Sequence, residues 1–228
     1  MQAIIEITGK AGVGKTTIAT LFSEELAHTS SLFIDADPNQ QLTRDLATQA
    51  TQLTLAELFT KHTDATSTRE GIDWAFNDLT ISVGEENELI TVGQLPETLP
   101  ETELDKLRYG LNRLIENYQY VIIDGHQPLL HQLLPEDHLR TLMLVTPVEF
   151  STWQSVAEAQ HLHTPFLILN FYHQEALPPL MENALLQHQI KLVGKFPEYA
   201  DREALEQTLP EDFKNCLLRL DIPLNSNS

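Results

Sequence analysis

A glycine-rich turn between an apolar strand and a helix constrains this chain more than any other segment. Residues Ala3 to Thr8 predict a buried strand, and Thr16 to Ala27 predict a helix whose apolar face holds Ile18, Leu21, Phe22 and Leu26. The turn fits the pattern G-x-x-x-x-G-K-[ST] completely and consists of Gly9, Lys10, Ala11, Gly12, Val13, Gly14, Lys15 and Thr16. A strand, this turn and a helix in that order predict a phosphate-binding loop. The alternative is an ordinary glycine-rich turn.

Each part of this loop has a physical role in holding phosphate. Glycines let backbone N–H groups converge on phosphate oxygens without clashes of Cβ atoms, and the helix N-terminus adds the positive end of its dipole. We predict that Lys15 bridges the β- and γ-phosphates of a nucleotide, that the Thr16 hydroxyl binds Mg²⁺, and that Thr17 touches the α-phosphate.

The rest of the chain alternates between strand-like and helix-like segments. Together with the phosphate-binding loop, this alternation predicts a single P-loop domain over residues 1–228, an α/β fold of three layers with a mostly parallel central sheet flanked by helices. After the first strand, strands are predicted at 32–34, 79–83, 89–92, 120–123, 142–145, 166–169 and 190–193. Helices are predicted at 104–118 and 181–188, after a cap at Ser151 or Thr152, and as short rim helices within 47–77.

Polar residues recur where the predicted strands end. Asp35, Asp37, Asp124 and Asn170 all follow apolar runs. Ligands of open α/β sheets bind outside the carboxyl ends of the strands, so these residues are candidates for one site. Asp124 closes the run Tyr-Val-Ile-Ile in the manner of a Walker B motif, and we predict that its carboxylate holds Mg²⁺.

The net charge and the composition indicate which macromolecular partners and which cellular compartment are expected. The chain has 33 acidic and 14 basic residues, a formal net charge of −19, which repels nucleic-acid backbones and anionic membranes; solubility is the simplest reason for it. Neither nucleic acid nor membrane is therefore an expected partner. With no long apolar run and no signal-peptide pattern at MQAIIEIT, the expected location is the cytoplasm.

Residues 9–17, GKAGVGKTT, resemble the deviant Walker A motif of the ParA/MinD superfamily of P-loop ATPases, which includes the nitrogenase iron protein and CooC. The resemblance implies that Lys10 reaches across a homodimer to the partner's nucleotide; the alternative is a solvated loop lysine. Residues 35–42, DADPNQQL, resemble the family's switch I and are especially close to the CooC form. There the second aspartate, Asp37 here, orients the attacking water. The same residues also have the chemistry of a turn.

The resemblance extends to the site of the nucleotide base. Residues 145–149, VTPVE, resemble a strand end of the family, and Asn170 matches an asparagine whose amide recognises adenine. Phe196, Pro197 and Glu198 resemble the loop that flanks the base, which implies that Pro197 contacts the nucleotide. ATP and Mg²⁺ are therefore the expected cofactors.

The activity that the resemblance implies is slow, Mg²⁺-dependent ATP hydrolysis by a molecular switch. Such a switch forms a homodimer when it binds ATP and acts on a protein partner, here unidentified, either in CooC-like maturation or in ParA/MinD-like positioning. The alternative is a nucleotide sensor that binds ATP with little or no hydrolysis.

The chain departs from the family's pattern in three places. Ala11 replaces the second glycine of the usual K-G-G. Residues 125–128, GHQP, follow Asp124 where switch II usually reads D-x-P-x-G or D-x-x-A-G. Cys216 is the chain's single cysteine, so the C-x-C metal site of CooC cannot form and nickel delivery by that chemistry is not expected.

The histidines and the C-terminal segment leave alternatives open. His126 and His131 flank the predicted switch II, where a metal- or pH-sensitive switch competes with the preferred interpretation of scattered surface histidines. His161 and His163 are two apart and would face different directions on a helix.

A C-terminal helix is predicted from the apolar spacing of Phe213, Cys216, Leu217 and Leu220. We expect it to dock on the core, because a membrane-surface helix would carry more basic residues. Pro210 is predicted to open this helix, and Thr102 with Asp105 is predicted to form a capping box for the helix at 104–118.

Overall fold

The computed structural model describes residues 3–47, 53–61, 67–135, 138–145, 165–170, 177, 179–197, 202–220 and 222. Its strands are β1 (Ala3–Thr8), β2 (Ser31–Asp35), β3 (Ile81–Ser82), β4 (Asn87–Thr91), β5 (Tyr120–Asp124), β6 (Leu139–Val145), β7 (Pro165–Asn170) and β8 (Lys191–Phe196). Its helices are α1 (Lys15–Glu25), α2 (Gln41–Leu46), α3 (Leu55–Lys61), α4 (Arg69–Asp78), α5 (Glu101–Ile115), α6 (Pro128–Leu133), α7 (Pro179–Gln187) and α8 (Arg202–Arg219).

The strands form an eight-stranded sheet in the order β3-β4-β2-β5-β1-β6-β7-β8. Parallel pairing joins β2 to β4 and β5, and it joins β7 to β6 and β8, whereas β3 runs antiparallel to β4. The mostly parallel sheet predicted from the alternating pattern is confirmed. The predicted cap at Ser151 or Thr152 and the histidines at 161 and 163 lie outside the described residues.

The chain forms two compact units, one made of Met1–Glu6 with Ile18–Leu139 and the other of Ile7–Thr17 with Arg140–Ser228. The core of the first unit is a cluster of buried apolar side chains from its strands and from α3, α4, α5 and α6. Every residue of β2 and of β5 is buried, as expected for parallel strands covered on both faces. The segment 47–77, predicted to hold short rim helices, contains α3 and most of α4.

Helix α5 has the predicted apolar spacing but not the predicted N-terminal cap. Its buried residues follow helical spacing and include Leu107, Leu111, Leu114 and Ile115. The predicted capping box at Thr102 and Asp105 is wrong, because the helix already begins at Glu101 after Pro100. A capping box forms instead at α3, where the Thr54 hydroxyl accepts from the Glu57 N–H at 3.2 Å and the Glu57 carboxylate accepts from the Thr54 N–H at 3.1 Å.

In the second unit, α8 carries the predicted apolar face. Phe213, Cys216, Leu217 and Leu220 are all buried, which confirms that this helix docks on the core. The prediction that Pro210 opens the helix is wrong, since Pro210 lies inside it. A proline inside a helix costs about 3 kcal/mol of helix stability. Burial of the apolar side chains of Leu209 and Phe213, on either side of Pro210, compensates for this cost. Among the described residues, no helix combines the length and the hydrophobicity needed to cross a membrane.

Gly110 marks the closest approach of α5 to α4. A Cβ atom there would lie 2.2 and 2.3 Å from two ring atoms of Phe76 and 2.8 Å from Ile72. Gly110→Ala is therefore expected to lower the free energy of unfolding by about 1–3 kcal/mol through overpacking. Urea denaturation measures this loss. The control is Gly84→Ala, where the nearest atom would be Asn87 Cβ at 3.4 Å. A Gly110→Ala protein as stable as the wild type would contradict this packing.

Candidate functional site

The predicted phosphate loop lies between the end of β1 at Thr8 and the start of α1 at Lys15. Gly9 has a φ angle of +148°, and a Cβ atom there would lie 2.4 Å from the carbonyl oxygen of Leu144 in β6. This backbone conformation and this spacing admit only glycine. The loop therefore leaves β1 in direct contact with the backbone of β6.

The ammonium group of Lys15 is held by the loop itself. Its Nζ atom donates hydrogen bonds to the carbonyl oxygen of Gly9 at 3.0 Å and to that of Lys10 at 2.9 Å. Because α1 begins at Lys15, the first N–H groups of the helix and the positive end of its dipole lie at the same place. This combination of charge and N–H donors can bind an anion such as phosphate.

The other loop residues named from the sequence differ in exposure. The exposed ones are Lys10, Ala11, Gly12 and Thr17, and the half-buried ones are Gly9, Gly14 and Thr16. Val13 is buried and anchors the loop in the second unit. The outer turn of the loop is thus accessible to a ligand.

Asn170 ends β7 and contacts the loop. Its Nδ2 atom donates a hydrogen bond to the carbonyl oxygen of Val13 at 2.8 Å. The residue predicted to read adenine therefore also positions the phosphate loop, a contact that sequence reasoning did not anticipate. Pro197 follows β8 and is half-buried, whereas Glu198 lies outside the described residues.

Asp35, at the end of β2, is the anchor of the loop that follows it. Its carboxylate is fully buried and accepts hydrogen bonds from the Thr43 N–H at 2.8 Å, the Thr43 hydroxyl at 2.6 Å and the Asp37 N–H at 3.2 Å. Burial raises the pKa of Asp35 above its ordinary value, although these hydrogen bonds oppose the shift. Asp35 thus holds both the turn at Asp37 and the start of α2.

Asp37 forms the turn that its sequence predicted. Its carboxylate accepts from the Asn39 N–H at 2.8 Å and from the Asn39 amide at 3.2 Å, and its carbonyl accepts from the Gln40 N–H at 2.9 Å. Gln40 has a left-handed φ of 53°, which lets the chain enter α2. Asp37 is half-buried, so its carboxylate lies at the surface of the first unit.

Asp124 ends β5 and is fully buried, and its carbonyl oxygen accepts from the Ala36 N–H at 2.9 Å. Its carboxylate offers oxygen atoms of the kind that Mg²⁺ prefers. Gly125 follows with a φ of +98°, and a Cβ atom there would lie 3.2 Å from the backbone nitrogen of Asp37. The loops after β2 and β5 therefore run side by side within the first unit.

Gln127 holds the segment after Asp124 in place through hydrogen bonds. This is the segment whose sequence departs from the family's pattern. The Nε2 atom of Gln127 donates to the carbonyl oxygens of Ala36 at 2.9 Å and Gly93 at 2.7 Å, and its Oε1 atom accepts from the Leu95 N–H at 3.2 Å. One side chain thus joins the loops that follow β2, β4 and β5. Sequence reasoning missed this role, because nothing in the residue order shows that Gln127 points between two other loops.

His126 and His131 meet a common partner, so they are not scattered surface histidines. Nδ1 of His126 lies 2.7 Å from Oε1 of Glu6, and Nδ1 of His131 lies 3.1 Å from Oε2 of Glu6. Glu6 itself is buried in β1. Burial raises the pKa of Glu6, but the hydrogen bonds and charges of the two histidines outweigh it and hold that pKa below its ordinary value.

Comparison with known proteins identifies a family and a fold for the chain. The family described as AAA domain matches residues 1–153. No curated protein matches the chain. A chain of the MinC:MinD cell division protein complex of Aquifex aeolicus is similar, with 17% identity, a TM-score of 0.67 and coverage of 98% of either chain.

Two further structures were solved with nucleotides. The septum site-determining protein MinD of Pyrococcus horikoshii, complexed with Mg-ADP, is 22% identical with a TM-score of 0.64, covering 97% of this chain and 96% of that one. A plasmid partition protein of Borrelia burgdorferi bound to AMPPNP is 19% identical with a TM-score of 0.60, covering 96% of this chain and 98% of that one. These likenesses confirm the predicted P-loop NTPase fold.

The anchoring role of Asp35 can be tested by removing one acceptor atom. In Asp35→Asn, the side-chain NH₂ group must face either the Thr43 N–H or the Asp37 N–H, so one buried donor loses its acceptor. We expect the free energy of unfolding to fall by about 1–3 kcal/mol, measured by urea denaturation. The matched control is Asp45→Asn, an exposed carboxylate bonded to Gln41 at 2.7 Å, which should change stability by less than about 0.5 kcal/mol. Equal stabilities of the two variants would refute the anchor.

Proposed function

Because the chain belongs to the AAA domain family and has the fold of the MinD and ParA ATPases, we propose that it is a Mg²⁺-dependent ATPase that works as a slow molecular switch. The observation that carries this proposal is the loop of residues 9–14, which leads into α1 and binds the Lys15 ammonium with two of its carbonyls. The Mg-ADP and AMPPNP found with the two similar proteins support ATP and Mg²⁺ as the cofactors here.

The loop residues are assigned to the phosphates. Lys15 faces the β- and γ-phosphates, Thr17 contacts the α-phosphate, and the backbone N–H groups of the loop donate to the remaining oxygens. In this assignment, the Lys15 ammonium leaves the carbonyl oxygens of Gly9 and Lys10 and donates to phosphate oxygens instead. Two neutral acceptors are then replaced by charged ones, which strengthens each hydrogen bond of Lys15.

Oxygen donors of the chain fit the metal that accompanies the nucleotide. Thr16 offers a hydroxyl and Asp124 a fully buried carboxylate, and Mg²⁺ prefers ligands of this type. When bound, the ion neutralises charge that develops on the phosphates. For the base, we assign the amide of Asn170 to adenine and Pro197 to its flank.

Hydrolysis requires a positioned water, and we assign that task to Asp37. Asp37 is half-buried, in a turn that the Asp35 carboxylate holds by accepting a hydrogen bond from the Asp37 N–H. The turn also lies against Gly125, so a displacement at Asp37 passes to the segment that follows Asp124. This contact is the route by which ATP and ADP states would differ in the surface offered to a partner.

A nucleotide sensor with little or no hydrolysis is the second candidate. Two observations favour it. The Asp37 carboxylate is already bonded to Asn39, and Gln127 holds the segment after Asp124 with three hydrogen bonds. Tight ATP binding without measurable release of phosphate would select the sensor, whereas slow, Mg²⁺-dependent release would select the ATPase.

Assembly is assigned to Lys10. This residue is exposed at the outer turn of the loop, as a lysine that completes a partner subunit's site would be. We propose that ATP favours a homodimer and that the dimer acts on a protein partner, in CooC-like maturation or in positioning of the MinD and ParA kind. The net charge of −19 argues against nucleic acid and anionic membranes as that partner.

Lys15→Ala tests nucleotide binding directly. It removes a charge that makes two hydrogen bonds to phosphate oxygens, each worth about 1.5–3 kcal/mol, so affinity for Mg·ATP should fall by at least about 100-fold in titration calorimetry. Lys106→Ala is the matched control, because that ammonium pairs with Glu103 on α5 at 3.0 Å. The control should bind like the wild type. Unchanged affinity in Lys15→Ala would remove the basis of the proposal.

Lys10→Ala tests assembly separately. Light scattering of Asp37→Ala protein with Mg·ATP should show a dimer at micromolar concentration, and ADP should favour the monomer. Adding Lys10→Ala should abolish this nucleotide dependence while leaving ATP binding largely intact. Two lost contacts of about 1.5–3 kcal/mol weaken dimerisation by about two orders of magnitude or more. The control is Asp37→Ala combined with Lys106→Ala, which should behave like Asp37→Ala alone. If the protein with Asp37→Ala and Lys10→Ala still dimerises with ATP, Lys10 is only a loop lysine.

A further inference from the structure

Three side chains with metal-binding atoms converge within the first unit. Glu6 comes from β1, His126 from the loop after β5, and His131 from α6. One ligand atom of each lies within 4.8 Å of the other two. The residues are separated by up to 125 positions in the chain, so the fold, and not local sequence, brings them together.

The distances suit a shared ion. The Nδ1 atoms of His126 and His131 lie 2.7 and 3.1 Å from different oxygens of the same carboxylate. Ligand atoms around a tetrahedral Zn²⁺ ion, with bonds of about 2.0–2.1 Å, are about 3.3 Å apart. Both nitrogen–oxygen distances are shorter than that spacing, so the ligand atoms spread apart when an ion binds between them. The imidazole rings are tilted by 54° with centroids 5.6 Å apart, so they lie beside each other without stacking face to face.

Burial differs among the three ligands in a way that fits an ion entering from solvent. Glu6 is 2% exposed, His131 24% and His126 38%. The buried carboxylate supplies negative charge at the closed end of the site, and the more exposed imidazole lies at its open end. Three protein ligands with one open position is the arrangement of zinc sites that also bind water or another molecule.

We propose that Glu6, His126 and His131 bind one divalent transition-metal ion of the Zn²⁺ class. Two imidazole nitrogens and one carboxylate form a donor set that selects Zn²⁺ and its neighbours over Mg²⁺ and Ca²⁺, which take oxygen ligands. The site shares no ligand with the Mg²⁺ position assigned to Thr16 and Asp124, and it needs no nucleotide. The ion would fasten β1 to the loop that follows Asp124.

The test uses the full chain without an affinity tag, freed of metal by a chelator and kept free of nucleotide. Zn²⁺ alone is titrated by calorimetry, and Co²⁺ is titrated by its visible absorption, which reports the coordination geometry. We expect one ion per chain at micromolar affinity or tighter. His126→Gln and His131→Gln should each weaken Zn²⁺ binding by at least about 100-fold, the upper end of the loss caused by removing an outer-shell partner.

The chain offers a matched control in His28. This histidine also contacts a glutamate, Glu85 at 3.2 Å, but both side chains are highly exposed. His28→Gln should bind Zn²⁺ like the wild type, and so should Lys15→Ala, which separates this site from nucleotide binding. If the wild type binds no Zn²⁺, or if His126→Gln binds it as tightly as His28→Gln does, the three residues form only a hydrogen-bonded cluster and the proposal is wrong.

Discussion

The geometry of the phosphate loop depends on a backbone contact that leaves no space for a side chain. Gly9 passes so close to the Leu144 carbonyl that a Cβ atom would lie 2.4 Å from it. This contact sets the point at which the chain leaves β1, and the first turn of α1 follows from it. Lys15 can then reach back to two loop carbonyls, and the Val13 carbonyl meets the amide of Asn170, a residue 157 positions away.

The parts of the fold that follow local rules were predictable from sequence. The turn at 9–16 and the alternation of strands and helices are determined by neighbours in the chain, and so is the apolar face of α8. Two errors concern the residue at which a helix begins. Pro210 lies inside α8, because the apolar residues around it are buried, and Thr102 lies inside α5 where a cap was expected.

Sequence could predict which residues of the site have suitable chemistry, but not which of them meet. Glu6 is the one charged residue of an apolar strand, and a buried charge requires partners, yet the residue order does not identify His126 and His131 among nine histidines. Gln127 likewise joins three loops through contacts between residues 32 to 91 positions apart in the chain, and no periodicity in the sequence records such contacts.

The single cysteine gives the chain a practical property. Cys216 is fully buried in α8, and burial raises its pKa to about 12. At neutral pH the buried thiol therefore stays protonated and shielded from solvent, so alkylating dyes should leave the native protein nearly unlabelled. A cysteine placed at an exposed position, such as Leu186→Cys where the native side chain is 76% exposed, would then be the one labelled site. Subunit association could be followed by energy transfer between such labels, with every native residue of the core kept in place.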